Sequence, residues 1–368
     1  MFIVKSKVPK TGCHMDILLT ILESFWVVGF QLSHKKCLLS LIVALQRLMT
    51  VNLLELSRNA FPKVSALSGV RRIERLLSMQ VFSVARIGIA ILKTLVPQEK
   101  YILTMDRTTW ELGKRVYNIL AIGICFDGIS LPIYFRSLDK RGATNFTEQI
   151  DFMENVLDLI PAEKIECLVA DREFGYTNFM RWLEIRKIPF TLRVRESCVV
   201  RIPSSKKVRT LKSLLSSLRV GEHMILSKTF IISGRLRVRI YAVRRKGRGE
   251  DNLLILATPV KSAFTDKIYR LRWEIETTFR ALKSGGFEIE QSHLPLDGRF
   301  QNMLAIIFIA YASIFIEGLV KAKKHSIPIM KSNGRKRYSI FTWGMRFIFT
   351  EIWERTPAEL ERLCQNSA

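Results

Sequence analysis

The sequence is poor in the residues that bind soft metals or form disulfides. Its 368 residues include six cysteines and five histidines, and no two cysteines form a CxxC pair. Zinc clusters and disulfide frameworks need closely spaced ligands or a regular cysteine pattern, so both are excluded, and a reducing, intracellular setting fits best. Internal repeats and low-complexity linkers are lacking too, and the length suffices for two or three globular domains.

An uninterrupted apolar run of membrane-spanning length is also lacking. Asp16 and Glu23 break the N-terminal apolar stretch, and no small-residue cleavage site follows it. The stretch Asn302–Ile316 is uncharged and mostly apolar. It falls short of the roughly 20 residues that a span requires. Glu317 closes it, so we predict a buried core helix, no membrane partner and a cytoplasmic location.

Acidic residues are scarce relative to basic ones. The chain has 33 Asp and Glu residues against 58 Lys and Arg residues, which gives a formal net charge of +25. Such an excess predicts a polyanionic partner, in the first place a nucleic acid. A solvated basic surface, or a membrane protein with basic loops, would have the same composition.

The sequence divides into three regions. In residues 1–95, apolar positions recur at helical spacing from Cys37 to Leu48 and from Val51 to Leu56, with basic residues between and after them. This region is predicted to be helical. It is either a domain that binds DNA ends or a generic helical bundle, and the pattern favours neither. Residues 331–368 form a basic, aromatic C-terminal tail.

Residues 96–330 have an α/β pattern. Short β-rich runs at 101–105, 117–126 and 129–135 precede a helix at 145–159, a strand at 166–170, a helix at 177–186 and a strand at 190–194. Asp127-Gly128 is a strong hairpin signal. Residues 196–252 interrupt the pattern as a β-rich insertion, in which arginines alternate with apolar residues from Arg235 to Ile240. We predict a mixed sheet flanked by helices.

Two aspartates follow predicted strands, which is where ligands bind in open α/β sheets. Asp106 comes after residues 102–105, and Asp171 after residues 167–170. Each is weak evidence alone, because Asp commonly ends strands for reasons of turn geometry.

A predicted long helix, Ser262–Lys283, presents polar residues on one stripe. At about 100° per residue, four side chains fall within an arc of roughly 60°. They are Tyr269, Arg272, Glu276 and Lys283. Glu274 projects away from them, as a solvated partner of a nearby cation. The alternative is a surface helix stabilised by ion pairs such as Arg272 with Glu276 at i, i+4.

The spacing Tyr269-x2-Arg272-x3-Glu276-x6-Lys283 resembles the Y-R-E-K signature of DDE transposases of bacterial insertion sequences. Asp106-Arg107-Thr108 is similar to the D-x-T around the first carboxylate of that family. The segment Asp171–Gly175 is similar to the D-R-E/G-[YF] context of the second. The resemblance covers about residues 95–325, and the four-residue signature is its specific part.

The resemblance implies an RNase H-like catalytic domain, as in retroviral integrases, that cleaves strands at transposon ends and transfers them into target DNA (cut-and-paste). Asp106, Asp171 and Glu276 would be the catalytic residues and the ligands of Mg²⁺ or Mn²⁺, with two ions expected. Carboxylate oxygens suit these hard cations, and paired ions can activate the attacking oxygen and stabilise the leaving one.

The partners implied are the inverted-repeat ends of the transposon and the target, both double-stranded DNA. Pairing two ends implies at least a homodimer. Candidate DNA contacts are Tyr269, Arg272, Lys283, Arg172 and Arg280. Two alternatives stay open: an RNase H-like nuclease that does not join strands, and a catalytically silent DNA-binding derivative of a transposase.

Overall fold

The computed structural model describes most of the chain. The described residues are 14–25, 31–79, 82–95, 99–112, 115–126, 128–138, 140–201, 207–232, 236–246, 252–259, 265–283, 286–291, 294, 297–330, 332, 334 and 336–353.

The N-terminal region is helical, as predicted. Its described helices are α1 (His14–Phe25), α2 (Leu32–Leu48), α3 (Leu53–Ala60), α4 (Ala66–Leu77) and α5 (Val84–Leu95). Helix α3 begins where Asn52 accepts hydrogen bonds from the backbone of Leu54 and Glu55, and α4 begins where Ser65 accepts one from Ser68. Such caps satisfy backbone N–H groups that have no partner within the helix.

A mixed sheet forms the centre of the molecule. Its first three strands are antiparallel neighbours: β1 (Tyr101–Leu112), β2 (Arg115–Phe126) and β3 (Ile129–Leu138). Gly128, in the turn between β2 and β3, has a φ of 93°, which suits the predicted hairpin. Asp127 lies outside the described residues.

Parallel strands extend the other edge of β1. Strand β4 (Ile165–Ala170) pairs with β1, and β5 (Phe190–Arg193) pairs with β4. The connections contain helices α6 (Phe146–Leu157) and α7 (Thr177–Ile185). Helix α6 begins with a capping box between Asn145 and Glu148. The mixed sheet flanked by helices that the sequence predicts is confirmed.

The β-rich insertion continues the same sheet. It contains β6 (Val199–Arg201), β7 (Val208–Thr210), α8 (Leu211–Leu214), β8 (His223–Ile232) and β9 (Leu236–Arg244), and β10 (Leu253–Thr258) follows it. The order of the described strands is β3-β2-β1-β4-β5-β10-β9-β8-β6-β7. On β9, Leu236, Val238 and Ile240 are buried, while Arg237 is exposed and Arg239 half-buried. The predicted alternation is confirmed there; Arg235 lies outside the described residues.

The predicted helix Ser262–Lys283 is two helices. They are α9 (Thr265–Arg270) and α10 (Trp273–Leu282). At the break, the amide of Leu271 donates to the carbonyl of Ile268, and that of Arg272 donates to Tyr269, both three residues back. This tighter spacing winds the chain as a 3₁₀ turn, which changes the direction of side chains on either side. Residues 262–264 lie outside the described residues.

Helix α11 (Asp297–Lys324) is the buried core helix that the sequence predicts, although it is longer. By length and composition alone it could cross a membrane, but its most apolar window is entirely buried inside the protein. It packs against α1, α2, α4, α5, β3 and the final helix, α12 (Ile340–Trp353). Glu317 does not end the helix, because it is a buried residue within it, 3.2 Å from the Lys321 ammonium.

Candidate active site

The two aspartates are adjacent on neighbouring strands. Met105 of β1 is paired with Ala170 of β4 in parallel register, so Asp106 and Asp171 are the next residues on each. The prediction that Asp106 ends its strand is wrong. It lies within β1, opposite Ala121 of β2, and only the pairing with β4 stops at its position. In the sequence, the polar residues that begin at Asp106 look like the end of a strand. Pairing with β2 nevertheless keeps them within β1.

The chain turns sharply after Asp171. A 3₁₀ turn covers Arg172–Phe174, and the amide of Phe174 donates to the carbonyl of Asp171. Gly175 then passes so close to β5 that a Cβ there would collide with the Arg193 carbonyl oxygen. This approach brings the segment after Asp171 against the end of β5.

The third carboxylate comes from α10, which packs on β1, β2 and β3. Thr278 on this helix donates a hydrogen bond of 2.8 Å to the carbonyl of Ser130 in β3, fixing the helix to the sheet. Glu276 lies in the first turn of α10, directly after the break at Leu271–Arg272.

Arg272 lies between two of the carboxylates. Its Nη1 is 2.6 Å from Glu276 Oε1 and 3.5 Å from Asp106 Oδ2. The residue is only 8% exposed, and its guanidinium carbon is 5.9 Å from the centre of the Tyr269 ring. The ion pair with Glu276 that the sequence suggested is therefore present. It belongs to a buried cluster rather than to an ordinary surface helix.

Asp171 has its own partners. The Tyr269 hydroxyl donates a hydrogen bond of 3.2 Å to Asp171 Oδ1, and Arg193 Nη1 lies 3.5 Å from the same oxygen. Arg193 was not predicted as a site residue. Its signal was the lone charged residue of strand β5, one pairing position beyond the Ala170–Leu192 pair of β4 and β5.

The charged groups of the site shift one another's pKa values. Burial raises the pKa of Asp106 to about 6, with smaller upward contributions from Asp171 and Glu276, while the Arg107 amide and Arg272 lower it. Burial alone would lower the pKa of Arg272, but the surrounding Tyr269, Asp171, Glu276 and Asp106 raise it. The guanidinium is thus held charged among the three carboxylates.

Burial likewise raises the pKa of Tyr269, and the neighbouring Asp171 raises it further. The hydroxyl therefore keeps its proton and remains a donor to Asp171. We call the six residues Asp106, Asp171, Arg193, Tyr269, Arg272 and Glu276 the carboxylate cleft.

The donor set of the cleft suits a hard divalent cation, because its three carboxylates supply oxygen ligands from two strands and one helix. Among the described side chains, no three His, Cys, Asp or Glu residues already lie close enough together to hold an ion. The position between Asp106 and Glu276 belongs to Arg272. An ion at these carboxylates would therefore have to replace the contacts of a guanidinium.

The remaining predicted contacts lie around the cleft. Lys283 follows α10, and its ammonium donates a hydrogen bond of 2.7 Å to the carbonyl of Thr109 and lies 3.7 Å from Glu290. Arg280 is exposed on α10, and Arg172 is half-buried in the turn after Asp171. Because the helix breaks before Arg272, the four signature residues do not form one continuous helical stripe.

Glu274 is not the solvated residue that the sequence suggests. It is half-buried, and its Oε2 is shielded from solvent. Burial raises the pKa of the Cys125 thiol, and the neighbouring Glu274 raises it further. Glu274 therefore faces the interior beside β2 rather than a surface cation.

A second charge network lies beside the cleft. Arg107 Nε is 2.9 Å and 3.1 Å from the two carboxylate oxygens of Glu173. Glu173 Oε1 also accepts hydrogen bonds from the amide (2.8 Å) and hydroxyl (2.9 Å) of Thr144. Arg107 Nη1 donates to Asn118 Oδ1 at 2.9 Å. We call Arg107, Asn118, Thr144 and Glu173 the Arg107 network; it joins the residues after Asp106 and Asp171.

A family comparison assigns this architecture to a class of enzymes. The model of the transposase DDE domain matches residues 97–312, from before β1 to within α11. The match covers more than half of the chain. The chain therefore belongs to the DDE transposase family, a family that generally uses divalent metal ions.

One solved structure that resembles the chain is described as a cryo-EM structure of a piggyBac transposase synaptic complex with hairpin DNA. The likeness covers 99% of this chain and 79% of that chain, with 13% sequence identity and a TM-score of 0.49. No curated protein matches the sequence.

Proposed function

We propose that this transposase cleaves DNA at the ends of its mobile element and joins the freed ends to target DNA, with Asp106, Asp171 and Glu276 as the metal-binding catalytic residues. One observation carries the assignment. A single guanidinium nitrogen of Arg272 contacts both Asp106 and Glu276, and the pairing of Met105 with Ala170 sets Asp171 beside Asp106. Acidic side chains from distant segments thus lie together in the folded chain, and two of them share one cation.

Mg²⁺ or Mn²⁺, two ions by our proposal, would be held by these three carboxylates. Such ions can activate the attacking oxygen and stabilise the leaving oxygen of a phosphodiester displacement. The protein supplies the orientation. The pairing of β1 with β4 fixes Asp106 beside Asp171, and the Tyr269 hydrogen bond fixes the Asp171 carboxylate.

Arg272 has a second role in this proposal. Cations bound to the carboxylates would replace the Arg272 guanidinium between Asp106 and Glu276. The guanidinium would then be available as a donor for a DNA phosphate beside the scissile bond, because guanidinium groups bind phosphate oxygens in a planar, two-point geometry. Lys283, Arg280 and Arg172 add phosphate contacts that fix the strand without reading its sequence.

The partners we propose are double-stranded transposon ends and double-stranded target DNA, in the cytoplasm. The net charge of +25 supports a polyanionic partner. Because a synapse holds two ends, we propose a homodimer at least.

Strand cleavage by the purified chain tests the proposal. The substrate is a DNA duplex that carries the inverted repeats flanking the gene, incubated with Mg²⁺ or Mn²⁺. Asp106→Ala, Asp171→Ala and Glu276→Ala should each abolish cleavage and leave binding of the duplex largely intact. Glu111→Ala on β1 and Glu166→Ala on β4 are matched controls, because both carboxylates are exposed and lie outside the cleft.

The outcomes separate the candidate functions. Cleavage by any of the three alanine variants at the wild-type rate would remove that residue from the metal site. Cleavage without joining of pre-cut ends to target DNA would identify a nuclease. Binding without cleavage by the wild-type chain would identify a silent DNA-binding derivative.

A further inference from the structure

A pocket of about 600 Å³ opens among α2, α3 and α4 of the N-terminal region. None of its lining residues belongs to the carboxylate cleft or to the signature that the family resemblance rests on. Its size lies within the range of sites that hold small molecules or single nucleotides. Its walls fall into a cationic part and an apolar part.

The cationic part of the pocket comes from α2, α4 and the loop between α3 and α4. Its cations are Lys36, Arg47, Lys63, Arg72 and Arg75. Among the described lining residues none is acidic, so the charges are not balanced within the pocket. Arg47 is half-buried, and burial lowers its pKa. Partly desolvated guanidinium groups gain more from an anion than exposed ones do, and phosphate is the anion that they fit best.

The apolar part of the pocket is able to take a flat ring. It is lined by Val43, Phe61, Leu76 and Met79. The guanidinium carbon of Arg72 lies 5.7 Å from the centre of the half-buried Phe61 ring. Aromatic rings and guanidinium planes are the surfaces on which proteins stack single nucleobases.

A polar group in the same wall needs a partner. Asn59 lines the pocket, and its Oδ1 is buried without a hydrogen-bond donor among the described residues. A buried acceptor of this kind is normally satisfied, by water or by a ligand if not by the protein. The exocyclic amino group of a base is a suitable donor.

We propose that this pocket binds one nucleotide, with the phosphate on the arginines and the base against Phe61. Two sources share this chemistry: a free nucleotide, and an unpaired nucleotide of a DNA strand. In the second case the inference rests on the proposed function. A fully paired duplex offers phosphates only, because its bases stay stacked inside the helix.

Cys37 provides a reporter within the pocket. It is a half-buried lining residue. Burial raises the pKa of its thiol to about 11, while Arg72 and Arg75 lower it. Alkylation by iodoacetamide at mildly alkaline pH, followed on the Cys37 peptide by mass spectrometry, measures whether a ligand covers the thiol. The other cysteines are resolved on separate peptides.

The probes are dAMP, inorganic phosphate, a short duplex with one unpaired 5′ nucleotide, and the same duplex fully paired. We expect dAMP to slow alkylation of Cys37 several-fold, and phosphate alone to slow it much less. Protection by the unpaired end, but not by the paired duplex, would identify DNA as the source. Protection by dAMP without protection by the unpaired end would identify a free nucleotide.

Substitutions in the pocket test whether the ligand that protects Cys37 binds there. Arg72→Ala should weaken dAMP binding, measured by titration calorimetry, about tenfold, and Phe61→Leu should weaken dAMP binding but not phosphate binding. Arg58→Ala is the matched control, because Arg58 is exposed on α3 outside the pocket and its loss changes the net charge equally. Thermal melts of each variant confirm folding, and the exposed Arg72 can be removed with little effect on the core.

Three results would overturn the inference. They are alkylation unchanged by both dAMP and the unpaired end, equal protection by phosphate and dAMP, and an equal loss of affinity in Arg58→Ala. Absence of metal-dependent DNA cleavage by the wild-type chain would refute the proposed function. Protection by dAMP would survive that result, so the two failures are distinguishable.

Discussion

Asp106 and Arg107 are neighbours on one strand, yet their side chains enter charge networks of opposite character. In the Arg107 network, Glu173 meets Arg107 and Thr144 at distances of 2.8–3.1 Å. In the carboxylate cleft, Asp106 and Asp171 meet their arginines only at 3.5 Å. Successive residues of a strand face opposite sides, so one pair of chain segments supports both networks.

The two networks therefore have different roles: the Arg107 network stabilises the fold, and the carboxylate cleft holds the groups that we propose take part in the reaction. A closed network of short contacts holds its groups in place, and removing one member leaves the others buried without a partner. In the cleft, Asp106 and Asp171 are held only by longer ionic contacts, and Asp106 and Glu276 share one cation, so these carboxylates can exchange partners at lower cost. We infer that the Arg107 network fixes the segments after Asp106 and Asp171, so that the cleft itself need not be rigidly paired.

The largest expected effect contrasts two glutamates. Glu173→Ala should lower the free energy of unfolding by about 3 kcal/mol, because it leaves Arg107 largely buried without its anion. Glu276→Ala should cost no more than about 1 kcal/mol, since its side chain is 38% exposed and Arg272 keeps Asp106 as a second anion. Urea denaturation without added metal measures both. Equal losses would show that the two networks do not differ in kind.

The second effect concerns the shared cation. Arg272→Ala removes the guanidinium that a metal ion must replace, so the variant should bind Mn²⁺ more tightly than the wild type. Its melting temperature without metal should fall, and saturating Mn²⁺ should raise it by a few degrees more than in the wild type, because binding to the folded state stabilises it. Arg272→Lys keeps the charge and is the control. A smaller metal-induced shift in Arg272→Ala would contradict the exchange of partners.

The smallest effect concerns a phosphate contact. Lys283→Ala should reduce the slope of log K against log salt for DNA-end binding by about 1, as expected for one lost phosphate contact. Lys164→Ala is the control, because this exposed lysine precedes β4, at the end of the strand opposite Asp171. An unchanged slope in Lys283→Ala would mean that its hydrogen bond to Thr109 is its whole role.

The sequence predicts the elements of the fold well because their signals are local. The strands at 101, 117 and 129, the hairpin between the last two and the helix that follows them all depend on residues close together in the chain. One failure arises from a distant contact. Strand β1 continues past Asp106 because β2 pairs with Arg107, Thr108 and Thr109, and periodicity within residues 101–112 cannot reveal that partner.

The site shows the same limit. Spacing and resemblance select Asp106, Asp171 and Glu276, but an ideal helix cannot show the 3₁₀ turn that redirects Arg272 toward both Asp106 and Glu276. The role of Arg193 depends on strand order, since only the pairing of β4 with β5 places it beside Asp171. The sequence also predicts the wrong surroundings for Glu274, because the buried groups around it come from β2 and α11, far along the chain.

Helix α11 has a consequence for how the protein is made. The helices of the N-terminal region bury apolar side chains against it, yet it begins only at Asp297. During synthesis, those helices therefore emerge long before the surface that covers them. A nascent chain arrested between residues 95 and 297 would expose apolar faces, so we expect it to need chaperone protection until translation passes Lys324.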